Sequence, residues 1–551
     1  MFKYRSCLLF FLSMSLFNCA QPQISDEDLI GEWTGKLTET YDLKLDITIE
    51  LKGEEAIFRL SRKKDLIVEK FKFDNKIKLD LDDDITFSGI VNKNKSTING
   101  FIGLQRNLYP IKLSREGNHY TGELSFMMLH HLNPKNIRLS IEEVNDNGYT
   151  IYPMLGSFWV NDFKQEKNKI SFKDYPTGFE FEGQIMPLEM VFDVGIAGNF
   201  IAEVILKKNE MERKQNLNTV DNEIKINDGW ELSENRLDLP QMQTDIQRDS
   251  LVGVEGVLIA RNGKILYEKY FAGFDVNTTH NTRSASKSIS SAIIGIAIDN
   301  NIIESVDEKL YDFIPYDYQY TKDSLKAKIT IKHLLTMSSG LDVNNKAYEG
   351  YYQNESDDPW LKTVLEAPMV HEPGTYTDYG SANPFLLGIY LHNRLDIPLE
   401  FYMHEKLFSP LGITNYVMNT DDTGIIPYFG GGLSLTPRDM LKFGQLYLNE
   451  GTWNGEQIIS KSWIQESFKK HTKLQDFQDK DEYGYFWYHH TYMVDGKSIK
   501  SIEARGAGGQ FIFVVPELEV VAVITAGNYR NGKTNQSLEI FRDYVLPALL
   551  K

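Results

Sequence analysis

Ser284 and Lys287 lie three residues apart, directly ahead of an apolar stretch with helical spacing. Isoleucine and alanine residues recur through 289–298 at intervals that predict one face of a buried helix. At the start of such a helix, the two side chains would lie about one turn apart on the same side. A serine hydroxyl is a weak nucleophile until a base takes its proton, and a desolvated lysine can be that base. The helix N-terminus would also favour a developing oxyanion, so the spacing indicates a nucleophilic serine.

The Ser-x-x-Lys pattern is weak on its own, because it occurs at two further places in the chain. Ser61/Lys64 and Ser467/Lys470 both stand in charge-rich stretches, and neither pair precedes an apolar helix. Two segments further along the chain strengthen the interpretation of Ser284.

The first of these segments, residues 373–383, reads as a turn and a polar loop that lead into the apolar run 384–391. Tyr379 lies in this loop. A tyrosine held near a lysine can pass a proton to a leaving group. The alternative is a half-buried aromatic residue whose hydroxyl is satisfied.

The second segment is glycine-rich and extends from Gly506 to Gln510, ahead of the apolar β run 511–516. Glycines there allow a ligand or another backbone to come close, and a strand edge can offer an N–H group to an oxyanion. The alternative is a bulge or tight turn in an inner strand.

Taken in this order, the three segments resemble the serine β-lactamase and penicillin-binding-protein superfamily. The pattern is most similar to the class C-like branch, which includes esterases, D-aminopeptidases and 6-aminohexanoate-dimer hydrolases. The resemblance covers roughly residues 246–551 and includes the accessory stretches 331–341, 411–413 and 431–440.

This resemblance implies roles for individual residues. Ser284 would be the acylated nucleophile, Lys287 its partner, and Tyr379 the residue that assists proton transfer. The main-chain N–H groups of Ser284 and Gln510 would form the oxyanion hole.

The resemblance also assigns substrate binding to Ser381, Gly508 and Gly509. Ser381 stands where many relatives have Asn, although the 6-aminohexanoate-type hydrolases resemble this chain here. Ala507 stands where relatives have Lys or His. Both departures argue against β-lactam turnover, and neither affects acyl transfer.

The N-terminus carries Lys3 and Arg5, then an apolar run over 7–17, which predicts a secretory signal peptide at residues 1–18. Cys19 directly follows and resembles the lipobox cysteine of bacterial lipoproteins, which is lipidated and becomes the first mature residue. Ordinary signal cleavage is the alternative. We therefore expect a lipid-anchored protein of the bacterial cell envelope, in the outer membrane or facing the periplasm, with residues 19–29 as a tether.

The formal net charge is −18, and it becomes −20 if Lys3 and Arg5 leave with the signal. Such a charge argues against nucleic-acid binding and against electrostatic docking on anionic lipid. The sequence has no HExxH motif, Cys–His cluster or EF-hand-like loop, so neither a metal nor a cofactor is expected. The adjacent His489 and His490 would point in different directions and are expected at the surface.

Residues 30–207 are rich in β patterns and repeat after 94 residues. Over 43–51, apolar residues such as Leu45 and Ile47 alternate with polar ones, which predicts a half-buried strand. The matching positions are Leu43 with Ile137, Leu45 with Leu139, Ile47 with Ile141, Phe87 with Phe181, and Ile111 with Ile205. We interpret the repeat as a duplicated all-β domain, either two small barrels or sandwiches or two halves of one larger unit.

Residues 208–245 are polar and charge-rich, which is typical of a linker. The hydrolase domain then covers 246–551. It begins with a predicted hairpin around Asn262-Gly263, continues with mainly helical patterns from about 287 to 470, and returns to strands at 511–526. Within the helical part, Thr436 followed by Pro437 predicts the start of a helix. This order suits the α/β (α+β) fold with an antiparallel sheet and a helical region that the resemblance implies.

The sequence therefore predicts an envelope-located serine hydrolase that cleaves an amide or ester bond of a small molecule through an acyl-enzyme on Ser284. A penicillin-binding or D-alanyl peptidase, or a β-lactamase, is the alternative among enzymes. An inactive binding lipoprotein with a hydrolase scaffold is the alternative of another class. Intact Ser284, Lys287 and Tyr379 favour an enzyme, because a scaffold has no need of all three.

Overall fold

The computed structural model describes residues 30–40, 44–61, 66–82, 85–125, 137–143, 149–153, 161–174, 178–186, 188–196, 199–208, 228–475, 481–529 and 531–551. The predicted signal peptide, Cys19 and the tether lie outside these ranges. Within them, none of the helices has the length and hydropathy that crossing a membrane requires.

The first β unit contains eight antiparallel strands that follow one another in space, and its last strand pairs back with its first. Leu45 and Ile47 in its first strand are buried between exposed Asp46 and half-buried Thr48, which confirms the predicted alternation. The strands are β2 (Lys44–Lys52), β3 (Glu55–Ser61), β4 (Leu66–Lys72), β5 (Lys76–Asp82), β6 (Ile85–Val91), β7 (Thr97–Leu104), β8 (Asn107–Glu116) and β9 (His119–Ser125).

The second β unit has the same spatial order of strands. It uses the first strand of the chain, β1 (Gly31–Thr40), in the position that β9 takes in the first unit. The first unit is therefore inserted between β1 and the rest of the second unit. Its other strands are β10 (Ile137–Glu143), β11 (Tyr149–Pro153), β12 (Asn161–Glu166), β13 (Lys169–Asp174), β14 (Phe179–Met186), β15 (Glu189–Ile196) and β16 (Asn199–Lys208).

Phe87 and Phe181 confirm the repeat, because both are buried in equivalent strands of the two units. The predicted match of Ile111 with Ile205 is wrong by one residue. Ile111 is buried, whereas Ile205 is half-buried and its neighbour Val204 takes the core-facing position. The path from Phe181 to Val204 is one residue shorter than that from Phe87 to Ile111, and a shift of one residue moves a side chain to the other face of a strand.

The hydrolase region is built on a nine-stranded sheet with helices on both faces. In one of its central strands, Leu258 faces one helical layer while Val257 and Ile259 face the other. In order across the sheet, the strands are β17 (Glu231–Leu232), β19 (Lys264–Tyr270), β18 (Val254–Arg261), β30 (Val520–Ala526), β29 (Gln510–Val515), β28 (Lys497–Gly506), β27 (Tyr488–Val494), β26 (Glu482–Tyr483) and β25 (Thr472–Lys473).

Along the chain, most helices of this region come between strands β19 and β25, as the sequence predicts. They are α1 (Pro240–Gln247), α2 (Ser286–Asp299), α3 (Ile331–Leu335), α4 (Trp360–Glu366), α5 (Ala382–His392), α6 (Leu399–Met403), α7 (Pro437–Leu448), α8 (Lys461–Ser467), α9 (Gln536–Ile540) and α10 (Leu546–Leu550). Short strands complete the region: β20 (His280–Asn281), β21 (Tyr416–Asn419), β22 (Leu433–Leu435), β23 (Thr452–Trp453) and β24 (Glu456–Gln457).

Two local sequence signals produce the expected structure. Asn262 and Gly263 both have positive φ, at 52° and 72°, and close the β18–β19 hairpin. Thr436 caps α7 by accepting a hydrogen bond from the backbone N–H of Asp439, and Pro437 opens the helix.

The predicted linker is shorter than expected. Trp230 is buried in the hydrolase core, and Met242 on α1 packs beneath the sheet. These apolar side chains fold residues from 228 onward into the hydrolase region, although the surrounding sequence is polar.

Candidate active site

Ser284 lies in a 3₁₀ turn, Arg283–Ala285, between β20 and α2. Arg283 has a positive φ of 50°, which is uncommon for a residue with a side chain. The backbone N–H of Arg283 donates to Asn281 Oδ1 at 3.0 Å. Such strain persists where the surrounding structure fixes it, and it is often found next to functional residues.

The structure brings Lys287 into direct contact with Ser284. Lys287 is 1% exposed, and its Nζ donates to Ser284 Oγ at 2.7 Å. The same nitrogen donates to the carbonyl oxygen of Gly430. A buried amine held on the hydroxyl in this way has the geometry of a general base for the serine.

Tyr379 also lies near the lysine. Lys287 Nζ is 5.3 Å from the centroid of the half-buried Tyr379 ring. Tyr488 packs against it with ring centroids 6.3 Å apart, and burial, together with the charge of Tyr379, raises the pKa of Tyr488 well above its usual value. The sequence-predicted trio is therefore clustered, while the catalytic roles remain predictions.

Gln510, whose N–H is predicted to complete the oxyanion hole, and its partner Gly506 lie on two strands beside the Ser284 turn. Gly506 at the end of β28 pairs with Gln510 at the start of β29. A side chain at Gly506 would overlap the carbonyl of Thr282 and come within 3.2 Å of the Ala285 nitrogen. Only glycine lets this strand approach the nucleophile so closely.

Gly508 and Gly509, predicted to bind substrate, have structural reasons for being glycine. Their φ angles are 80° and 100°, and a side chain on Gly508 would overlap the ring of Tyr529. Their carbonyl oxygens accept hydrogen bonds from the Asn528 N–H and the Ser537 hydroxyl. Their contribution to substrate binding stays a prediction.

Ser381, also predicted to bind substrate, donates its hydroxyl to Glu349 Oε2 at 2.9 Å. Tyr428 donates to the other oxygen of Glu349 at 2.6 Å, and burial, followed by the nearby Glu349 charge, raises the pKa of Tyr428 well above its usual value. Sequence reasoning missed Glu349 and Gly430. The nearest sequence signal to Gly430 is the accessory stretch 431–440, which begins one residue later.

Arg505 does not replace the cation that Ala507 lacks. Its guanidinium forms ion pairs with Glu503 and Asp481, each at 2.7 Å, and lies over the Tyr488 ring at 4.6 Å. Because both carboxylates are paired with the guanidinium, Arg505 is not available to bind an anionic group of the substrate.

The adjacent histidines are half-buried neighbours in β27, so their side chains point to opposite faces of the strand, as the sequence predicts. His490 Nδ1 lies 3.1 Å from Asp481 Oδ1, and this hydrogen bond raises the pKa of His490. Burial lowers the pKa of His489 to about 4. No group of three or more potential metal ligands occurs in the part of the chain that the structure describes.

Residues 242–539 match the sequence profile of the family described as Beta-lactamase, more than half of the 551-residue chain. The chain belongs to the Beta-lactamase family. This confirms the superfamily and the fold that the sequence predicts.

The chain is similar to a 6-aminohexanoate-dimer hydrolase of Paenarthrobacter ureafaciens, with 24% identity over 241 residues. That alignment covers 41% of this chain and 59% of the hydrolase. Among solved structures, a penicillin binding protein from Bacillus halodurans is 17% identical with a TM-score of 0.40, covering 51% of this chain and 92% of that one. A family VIII carboxylesterase is 16% identical with a TM-score of 0.43, covering 54% and 92%.

Proposed function

We propose that this protein is a serine hydrolase that cleaves an amide or ester bond through an acyl-enzyme on Ser284. The observation that carries the proposal is the hydrogen bond between the buried Lys287 Nζ and Ser284 Oγ. A structural lysine would be expected to pair with a carboxylate when it is buried. Lys287 instead contacts a hydroxyl and a main-chain carbonyl.

In the first half of the reaction, Lys287 takes the proton of Ser284 as Oγ bonds to the carbonyl carbon of the substrate. The N–H groups of Ser284 and Gln510 stabilise the oxyanion of the tetrahedral intermediate. The proton then passes to the leaving amine or alcohol through Lys287 and Tyr379, and the bond to the leaving group breaks.

In the second half, water attacks the ester carbon of the acyl-enzyme. The same groups remove a proton from the water and return one to Ser284 Oγ, which releases the acid product. The chain's own residues can perform both halves, because proton transfer and charge stabilisation are the only chemistry required.

We propose that the substrate is neutral or cationic where it meets Ser381 and Ala507. Glu349 places a carboxyl group beside Ser381, Ala507 offers neither donor nor charge, and Arg505 is engaged by two carboxylates. A carboxylate-bearing substrate would lose a charge-assisted hydrogen bond, about 1.5–3 kcal/mol or roughly one to two powers of ten in binding.

Steady-state rates on p-nitrophenyl butyrate and on nitrocefin test this assignment. We expect measurable ester hydrolysis and slow or negligible nitrocefin turnover in the wild type, with Ala507→Lys improving nitrocefin relative to the ester. Faster turnover of nitrocefin than of the ester in the wild type would instead identify a β-lactamase, and the Arg505→Ala variant would show whether Arg505 supplies the cation.

We further propose that the protein acts in the bacterial cell envelope, anchored through lipid on Cys19. The support is the signal-like segment 1–18 and the cysteine that directly follows it. Cys19→Ser should move the protein from the membrane fraction to the soluble fraction. Membrane retention of that variant would show that lipid on Cys19 is not the anchor.

A further inference from the structure

The hairpin between β7 and β8 of the first β unit reaches into the hydrolase region. Gln105, with a φ of 52°, and Arg106 form its turn. Strand β9 pairs with β8 at Ser114–Glu116, and the opposite end of β8 pairs with the hydrolase strand β21 at Asn107–Leu108. The two regions therefore share one hydrogen-bonded sheet.

This sheet continues to the nucleophile. Strand β21 pairs with β22, and β22 pairs with β20, which directly precedes the Ser284 turn. On the β-unit side, the Thr420 N–H donates to the Arg106 carbonyl at 2.9 Å. On the catalytic side, Thr282 donates to the Leu433 carbonyl through its N–H at 2.9 Å and its hydroxyl at 2.7 Å.

The Arg106 side chain makes a second connection. Its guanidinium carbon lies 4.9 Å from the ring centroid of Trp360, which is 7% exposed. Trp360 in turn packs edge-on against Tyr428, with centroids 5.7 Å apart. Arg106 thus packs on Trp360 through a cation–π contact, and Trp360 in turn packs on Tyr428.

Tyr428 contacts both parts of the candidate site. It donates to Glu349, the partner of Ser381, and its phenol ring occupies the space beside Gly430. The Gly430 carbonyl is the second acceptor of the Lys287 amine. A displacement of Trp360 would therefore reach the atom that orients the general base.

We propose that Arg106, on the β7–β8 hairpin of the first β unit, is a positioning residue of the acyl-transfer site, acting through Trp360 and Tyr428 on the Gly430–Lys287 contact. This inference rests on the proposed function. It gives the first β unit a role in catalysis, because that unit supplies one support of the general base from outside the hydrolase fold.

The test compares Arg106→Ala with Arg115→Ala in the full chain, measuring kcat and KM on p-nitrophenyl butyrate. Arg115 lies on β8, the strand that follows the Arg106 turn, with its guanidinium over the Tyr120 ring at 5.6 Å, and it contacts its own β unit. We expect Arg106→Ala to lower kcat about tenfold with KM nearly unchanged, since a misplacement of about 1 Å can cost up to 10²-fold. Arg106→Lys, which keeps a cation over Trp360, should recover most of the rate, and Arg115→Ala should behave as wild type.

The rate of amide hydrogen exchange provides a second measurement, which does not depend on enzyme activity. Peptides spanning 428–433 should exchange faster in Arg106→Ala than in wild type or Arg115→Ala, even if the wild type proves inactive on every ester. Should Arg106→Ala not fold, Arg106→Met, which keeps the apolar stem, takes its place with the same expectations. Wild-type kcat together with wild-type exchange in the folded variant would overturn the inference, and a kcat that Arg106→Lys fails to recover would do the same.

Discussion

Two Ser-x-x-Lys pairs lie in helical parts of the hydrolase region, and their surroundings differ completely. In the first pair, Lys287 is 1% exposed and donates to Ser284. In the second, Ser467 at the end of α8 donates to the Ile464 carbonyl at 3.0 Å. Lys470 has 51% of its side chain exposed and forms an ion pair with Glu482. The same spacing produces a buried couple at one site and two unrelated side chains at the other.

The difference comes from position on the helix. Ser284 precedes α2, so a lysine three residues on lies inside the first turn and points back towards it. Ser467 ends α8, and Lys470 lies beyond the helix. A serine and a lysine three apart therefore predict chemistry only where the pair opens a helix that is buried.

Removing the lysine of each pair should give the largest contrast. Lys287→Ala should lower kcat/KM on a reactive ester by about 10³-fold, because general bases typically contribute 10²–10⁴. Lys470→Ala should change it by less than about twofold, as expected for a surface substitution. Equal losses in the two variants would show that Lys287 acts through charge or folding rather than as the base.

Replacing the tyrosine beside each Ser-x-x-Lys pair should give a smaller difference in kcat between the two sites. Tyr379→Phe removes the hydroxyl of the ring that lies near Lys287 and should lower kcat by roughly 10–100-fold, with the largest loss on amides, whose leaving group needs a proton. Tyr485 is buried beside the second pair, where its N–H donates to the Ser467 carbonyl at 3.0 Å. Steady-state kinetics of Tyr485→Phe should match the wild type, and a loss confined to that variant would reverse the assignment of the two sites.

The smallest expected effect concerns stability around Lys470. Its hydrogen bond lowers the pKa of Glu482, whose side chain is 48% exposed. A lowered carboxyl pKa stabilises the fold above the unfolded pKa, and this contribution is lost as the pH falls through the folded pKa. Chemical denaturation at neutral pH should show Lys470→Ala losing roughly 0.2–1 kcal/mol, with the difference disappearing in acid. A difference that grew in acid would contradict the ion pair.

Much of the fold follows from local patterns in the sequence. The Asn262-Gly263 turn, the Thr436 cap and the alternation in β2 each depend on a few neighbouring residues, and each forms as predicted. The clustering of Ser284 with Lys287 is also local, since it needs only the start of α2.

The remainder depends on contacts between distant segments, which no local pattern encodes. Glu349 reaches Ser381 across 32 residues, and Gly430 reaches Lys287 across 143. The pairing of β8 with β21 requires an open edge at Asn107–Leu108, which is available because β9 pairs with the opposite end of β8. Arg505 is paired with Glu503 and Asp481, which its position next to Gly506 does not reveal.

Covalent trapping of the nucleophile tests the central claim most directly. Wild type and the variants Ser284→Ala, Ser286→Ala and Ser467→Ala would be treated with a fluorophosphonate, and the modified peptide identified by mass spectrometry. Ser286 donates to the Arg283 carbonyl at 2.8 Å, so it serves as the adjacent control. We predict rapid modification at Ser284 in the wild type and in the two control variants, and none in Ser284→Ala. Modification that survives in Ser284→Ala and disappears in Ser286→Ala or Ser467→Ala would contradict this account.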